Sequence, residues 1–153
     1  MKKILFAFTL LLFLGGCFGG GETSLESVQT FEDTHFTLSY PSGWIVKTRQ
    51  NFPPEIPKET IATFSRPEPR DGYRTTMSVI NEIVPVGTSS LDYAKQNINN
   101  AVTGVLEFKK LEERDIELSG QKTKLLIFQG KSDLNAKKLQ YVQVYLVQQE
   151  RGY

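Results

Sequence analysis

Apolar and polar positions begin to alternate at Phe31, and the alternation predicts most of the elements. Phe36, Leu38 and Tyr40 alternate with Thr37 and Ser39, the two-residue period of a strand. Tyr40-Pro41-Ser42-Gly43 then suits a type I turn, with proline second and glycine fourth. Trp44, Val46 and Thr48 share one face of a return strand, so this stretch predicts a hairpin. Gln50 to Lys58 carries Pro53, Pro54 and Pro57 and predicts a loop or extended edge. Ile61 to Ser65 predicts a short strand, and Arg66 to Gly72 a turn-rich connection. Thr75 to Val84 alternates again, with Met77, Val79 and Ile83 on one face and Asn81 interrupting it.

The period then changes. Leu91, Ala94, Ile98, Ala101, Val102 and Val105 recur at three- and four-residue steps, which predicts one helix with a single apolar stripe. Ser89 or Ser90 is positioned to cap it, with Asp92 in the first turn. Strands are expected near Arg114 to Leu118, at Thr123 to Gln129 and at Leu139 to Gln148. In the last of these, Val142, Val144 and Leu146 lie on one face and Tyr141, Tyr145 and Val147 on the other. A strand apolar on both faces predicts a central position, with a neighbour at each edge and a helix over each face. Only one helix is in sight, and Arg151-Gly152-Tyr153 reads as a turn. A further strand and helix are therefore expected after Tyr153; a naturally small domain with a frayed sheet is the alternative.

Upstream of the alternation, Met1-Lys2-Lys3 is basic and Ile4 to Leu14 is uncharged. A spanning helix needs about 20 apolar residues, so the run is too short to cross a bilayer. Basic start, short apolar run and small residues match an export signal, residues 1–16. Leu14-Gly15-Gly16-Cys17 resembles the lipobox of bacterial lipoproteins, which implies cleavage between Gly16 and Cys17 and a diacylglycerol thioether on the Cys17 sulfur. At about 0.8 kcal/mol per buried CH₂, two long chains supply gross membrane affinity on the order of 20 kcal/mol. A buried core cysteine, or one inside an ordinary signal, is the alternative, but Cys17 precedes any foldable sequence and is followed by Phe-Gly-Gly-Gly. As the chain's one cysteine it has no partner for an internal disulfide. Residues 17–30, rich in Gly, Ser, Thr and Glu, read as a lipidated start and flexible tether, and residues 31–153 as one domain.

Composition narrows the partners. Of 18 basic residues, Lys2 and Lys3 belong to the signal, which leaves 16 against 17 acidic ones. That mature chain has no cationic excess for phosphate contacts, so nucleic acid is not an expected partner. Ten Phe, six Tyr and one Trp supply bulk for a core.

Phe36-Thr-Leu-Ser-Tyr40-Pro41-Ser42-Gly43-Trp44 resembles the opening hairpin of PsbP-like domains, in which an F-x-φ-x-Y-P-x-G-W run begins the fold. Ser90-Leu-Asp-Tyr-Ala94 opening a helix and Leu118-Ser-Gly120 before a strand fit the same pattern, and the resemblance covers about residues 31 to 153. Tyr40, Pro41, Gly43 and Trp44 carry its most specific part. The resemblance implies an α+β fold: an antiparallel sheet sandwiched by helices, an α/β/α arrangement that here lacks its last strand and C-terminal helix. The family includes a lumenal photosystem II subunit and many bacterial envelope lipoproteins, and a related fold binds the GTPase Ran. It implies docking or assembly rather than catalysis, and no shared catalytic residues can be carried over.

Local chemistry agrees. His35, the one histidine, lies beside Asp33 and Thr34 with no G-x-S-x-G to supply a serine. Ser119-Gly-Gln-Lys122 fits S-x-x-K but sits between strands, where a hairpin turn is expected. Asp133-Leu-Asn135-Ala-Lys137 opens like a calcium loop, yet Lys137 stands where a ligand belongs and the required glycine is missing. Pro54-Glu-Ile-Pro57 is a P-x-x-P segment in a proline-rich loop. No cofactor and no metal are expected. Two functions stay open: a lipid-anchored envelope module that docks another protein, and a membrane-tethered ligand-binding or sensing module with Trp44 and Tyr73 as contacts. A hydrolase built on His35 is the third and weakest.

Overall fold

A computed structural model describes residues 27–70 and 72–153. The chain divides into two compact units: one runs up to Ile56 and includes Ala62–Ser78, the other comprises Pro57–Ile61 and Val79–Tyr153. The boundary falls within two strands that pass from one unit into the other.

In the first unit, β1 (Val28–Glu32) and β2 (Thr37–Pro41) form an antiparallel hairpin in which Phe31 faces Leu38 and Gln29 faces Tyr40. β3 (Ile45–Thr48) is followed by a 3-10 turn at Arg49–Asn51 and pairs antiparallel with β4 (Thr60–Ser65), setting Val46 opposite Phe64. β5 (Thr76–Ile80) lies on the other side of β4. Every second residue of β4 is buried, and Ala62 and Phe64 are fully enclosed. Phe64 meets Phe31 edge-on at 5.4 Å between ring centroids and Tyr40 at 4.9 Å. Such aromatic pairs add about 0.5–1.5 kcal/mol each beyond the area they bury.

The second unit begins with β6 (Glu82–Ile83) and the helix α1 (Ser90–Gly104). Ser89 caps α1: its hydroxyl accepts from the Asp92 N–H and donates to the Asp92 carboxylate at 2.7 Å. β7 (Leu106–Leu118) and β8 (Gln121–Lys131) form a long hairpin, and β9 (Leu139–Val144) pairs with the other side of β8. The turn between β7 and β8 is Ser119-Gly120, both with positive φ, as a tight hairpin turn requires. Tyr93, Ala94, Ile98 and Ala101 of the helix join Leu126 and Phe128 of β8 in the core, together with Val84, Tyr145 and Val147. The Phe128 ring stacks on Phe108 at 5.1 Å and on Tyr141 at 4.9 Å.

Beyond β9 the chain changes partner. β10 (Val147–Gln148) turns at Gln149-Glu150 into β11 (Arg151–Gly152), which pairs with β6. Arg151 Nη1 donates to Asn81 Oδ1 at 3.0 Å, so the polar residue that interrupts the apolar face of Thr75 to Val84 has a role in tying down this hairpin. Where residues 145–147 leave the β8 ladder, side chains replace the lost backbone bonds. Thr123 Oγ1 donates to the Tyr145 carbonyl at 2.7 Å. Ser90 Oγ accepts the Val147 N–H at 2.8 Å and donates to Gln121 Oε1 at 2.6 Å, while Gln121 Nε2 donates to the Val147 carbonyl at 3.1 Å.

Several expectations are corrected. The α/β/α sandwich is not formed: among the described residues the chain is a set of antiparallel β-sheets with one α-helix. The described residues carry a single long apolar stripe, and α1 is the one helix they form. Residues 36–48 are not a hairpin, because β2 pairs with β1 and β3 with β4. The turn between them starts at Pro41, whose carbonyl accepts the Trp44 N–H, and puts Gly43 third with φ +80°. That left-handed third residue is the mark of a type II turn, whose twist splays the flanking strands and does not suit a paired hairpin. Among the described residues β9 lies at the edge of its sheet instead of its centre, with Val142 58% and Val144 38% exposed. Residues 151–152 are a strand where a turn was expected, β7 starts eight residues before Arg114, and β1 begins at Val28, inside the stretch read as tether.

Two stability predictions follow from this packing. A Cβ at Gly152 would fall 2.3 Å from Cζ of the Tyr93 ring, whereas one at Gly104 meets nothing within 4 Å. Gly152→Ala is expected to lower stability by about 1–3 kcal/mol, and Gly104→Ala to be neutral or stabilising by up to about 1 kcal/mol, read from denaturant midpoints. Ser90→Ala strands the Val147 N–H in a buried site and is expected to cost about 1–3 kcal/mol in the same measurement.

Candidate functional site

Cys17 and Gly16 lie outside the described residues. The signature residues Tyr40, Pro41, Gly43 and Trp44 fall together at the link between β2 and β3. Tyr40 packs its ring against Phe64, Pro41 and Gly43 make the turn, and Trp44 is half-buried just after it. Their geometry is that of a structural corner: they aim a strand and fill a core. Tyr73 is 42% exposed and exchanges two backbone hydrogen bonds with Arg70 at 2.8 Å, closing the turn at Gly72.

The residues weighed for catalysis are dispersed. His35 is exposed in the β1–β2 turn, where its N–H donates to Asp33 Oδ1 at 3.2 Å. That bond makes Asp33 the organiser of a turn and His35 a passenger on it. Ser119 and Lys122 flank the β7–β8 turn, not one face of a helix, so the S-x-x-K geometry is missing. Asp133 Oδ1 accepts the Asn135 N–H at 2.9 Å, and the Asp133 carbonyl accepts from Ala136 at 3.2 Å. The calcium-like stretch is thus a local turn. Pro54 and Pro57 are exposed within a turn-rich loop. Among the described residues no group of three or more His, Cys, Asp or Glu could hold a metal ion, and no helix is long and apolar enough to cross a membrane.

The charged ladders on β7 leave no local signal in the sequence. Lys124 lies between Asp115 at 2.8 Å and Glu113 at 3.1 Å, and Glu113 also takes Lys110 at 2.8 Å. Glu107, a non-glycine residue at φ +52° where β7 bulges, binds both Lys131 and Lys138, at 2.6 and 2.7 Å. Hydrogen bonds from Lys131 and then Lys138 hold the Glu107 carboxyl down at about 2. Whatever stability this clasp contributes is complete above the ordinary carboxylate range and is lost as pH falls through about 2. Bonds from Lys110 and then Lys124 lower Glu113, and bonds to Asp115 and then Glu113 raise Lys124. Burial, followed by the charge of Glu82, pushes the Tyr93 hydroxyl up to about 12. Burial likewise raises Tyr145, whose hydroxyl donates to Gln143 Oε1 at 2.6 Å.

Each of these shifts moves a group away from neutral pH: acids become stronger acids, and lysine and tyrosine hold their protons more tightly. General acid–base chemistry needs the reverse, a group poised near the working pH. The Ser90 hydroxyl, 2% exposed, already donates once and accepts once, and has neither a base beside it nor access for a substrate.

No family model matches the chain, and no curated protein matches it. Solved structures do. The crystal structure of PA94 from Pseudomonas aeruginosa, a protein of unknown function described as a candidate regulator, superposes with a TM-score of 0.52 at 16% identity, covering 82% of this chain and 77% of that one. The solution structure of cyanobacterial PsbP (CyanoP) from Synechocystis sp. PCC 6803 superposes with a TM-score of 0.53 at 19% identity, covering 91% of this chain and 82% of that one. The likeness extends over most of both chains and shows a PsbP-like fold.

Proposed function

We propose that this protein is a lipid-anchored envelope protein whose PsbP-like domain is a non-catalytic docking module. The observation that carries the reading is the fold likeness to CyanoP over 91% of the chain. Two features of the chain support it. Leu14-Gly15-Gly16-Cys17 after a short apolar run supplies the chemistry of a membrane anchor, with the domain on the extracytoplasmic face. Five polar side chains of the second unit, Ser90, Gln121, Thr123, Glu107 and Glu113, bond within the fold. A domain of this kind acts through the surface it offers, and the tether sets how far from the bilayer it offers it.

The anchor and the docking role are tested separately. Cys17→Ser is expected to leave the precursor uncleaved and unlipidated, read by mass spectrometry of the protein from membranes. Mature, lipid-bearing protein from that variant refutes the anchor. For docking, cross-linking in intact cells followed by purification from membranes is expected to recover one envelope protein in stoichiometric amount. A thermal shift with a small metabolite and no co-purifying protein assigns the domain to ligand binding instead.

A further inference from the structure

Charge is handled differently in the two units. Among the described residues every salt bridge joins side chains of α1, β7, β8 and the segment leading into β9, all in the second unit. In the first unit, Arg66, Arg70 and Arg74 fall within the short connection between β4 and β5, and none of their guanidinium groups has an ion-pair partner among the described residues. Arg70 and Arg74 are exposed, and so is Tyr73 between them. The connection is a ribbon, not a loose loop. The Arg66 N–H donates to the Thr75 carbonyl at 3.0 Å, and Arg70 and Tyr73 exchange two bonds at 2.8 Å. Gly72, at φ +73°, permits the reversal. Pro67 and Pro69 have fixed φ and no N–H, which stiffens the ribbon and leaves it fewer donors for an added strand. A surface ordered in advance loses less entropy on binding.

We propose that this ribbon is the contact point of the docking module, and that it binds a protein surface bearing carboxylates. The inference rests on the docking reading above and adds where the contact lies and with what chemistry. Arginine and tyrosine are the side chains that, with tryptophan, dominate interface hot spots. Arginine presents a planar fork of donors that matches a carboxylate with two bonds at once. The neighbouring acids choose between anionic partners. Arg66, Glu68, Arg70, Asp71 and Arg74 alternate in sign, three basic residues against two acidic ones. An anionic bilayer or a nucleic acid rewards net charge, at about 1 kcal/mol per cation near a lipid surface, and the segment has little net charge to offer. An alternating pattern gains most where each charge meets its opposite, and a folded protein surface is the partner that can be patterned in that way.

The test places the photo-reactive residue p-benzoylphenylalanine at position 73 of the full chain, in the cells that make it. Lys47 and Leu134, both exposed, serve as comparison positions. Irradiation is expected to join position 73 to one protein, at a peptide rich in Asp or Glu, with little adduct from the comparison positions. Arg70→Glu with Arg74→Glu is expected to cut that adduct about tenfold or more, the loss of a hot-spot contact, with an unchanged circular dichroism spectrum. Arg70→Gln with Arg74→Gln removes the charge without reversing it and is expected to act in the same direction. Protein adducts from Lys47 or Leu134 with none from position 73 overturn the ribbon and leave the docking reading standing. No protein adduct from any position overturns both. An adduct to lipid at position 73, or a protein adduct there that survives both pairs of substitutions, overturns the carboxylate-bearing partner.

Discussion

The second unit depends on one buried junction, where residues 145–147 leave β8. An extended chain that parts from its neighbour exposes N–H and C=O groups, and in a buried site each must find another partner. Here the replacements come from side chains. Thr123 serves the Tyr145 carbonyl, Gln121 the Val147 carbonyl and Ser90 the Val147 N–H. Ser90 and Gln121 also bond each other, so the start of α1, the start of β8 and the strand β10 are locked at one point. Because that point is fixed, Val147 can lie opposite Gly152, and β11 can reach β6.

The same junction explains the composition of its surroundings. β11 lies so near α1 that the Tyr93 ring occupies the space a side chain at position 152 would fill, and glycine stands there for want of room, not for its freedom of φ. Tyr93 in turn meets Tyr145 edge-on at 6.2 Å. The aromatic ring is thus held by strand and helix together, and the burial that raises its hydroxyl pKa is a consequence of this close approach.

Much of the second unit was readable from the sequence because its signals are local. Ser89 and Asp92 mark the helix start, and Ser119-Gly120 marks a turn; both act within a few residues. The three- and four-residue spacing includes Val102 and omits Tyr93, whereas Val102 is 48% exposed and Tyr93 is buried. Periodicity locates a face to within a residue, and packing decides which side chain fills it. β7 was legible only at its end, since eight charges in 13 residues suppress the alternation that marks a half-buried strand. Pairing was less legible still. β2 and β3 each alternate, and their proximity suggests that they pair; a type II turn at Gly43, with φ +80°, splays them, and each pairs elsewhere. The partner of β2 is β1, an exposed strand whose sequence VQTFE carries little apolar signal. At the site, the turn roles of Pro41 and Gly43 were visible, but the clasp at Glu107 was not, because it joins residues 107, 131 and 138 across a bulge.

A face apolar in sequence need not be a face covered in the fold. Val142 and Val144 suggested a central strand, yet the helix that could cover a sheet is spent on the side of Leu126 and Phe128. Among the described residues one helix packs one side of this three-stranded sheet, and the valines of β9 keep much of their area in water. Leaving apolar area in water forgoes about 25 cal/mol per Å² of stabilisation. A folded chain tolerates that loss at an edge because edge residues have neighbours on one side only, and it can be recovered by association. The resolved titrating groups, by contrast, are held away from neutral pH within the fold, Glu107, Glu113 and Lys124 by bonded partners and Tyr93 and Tyr145 by burial.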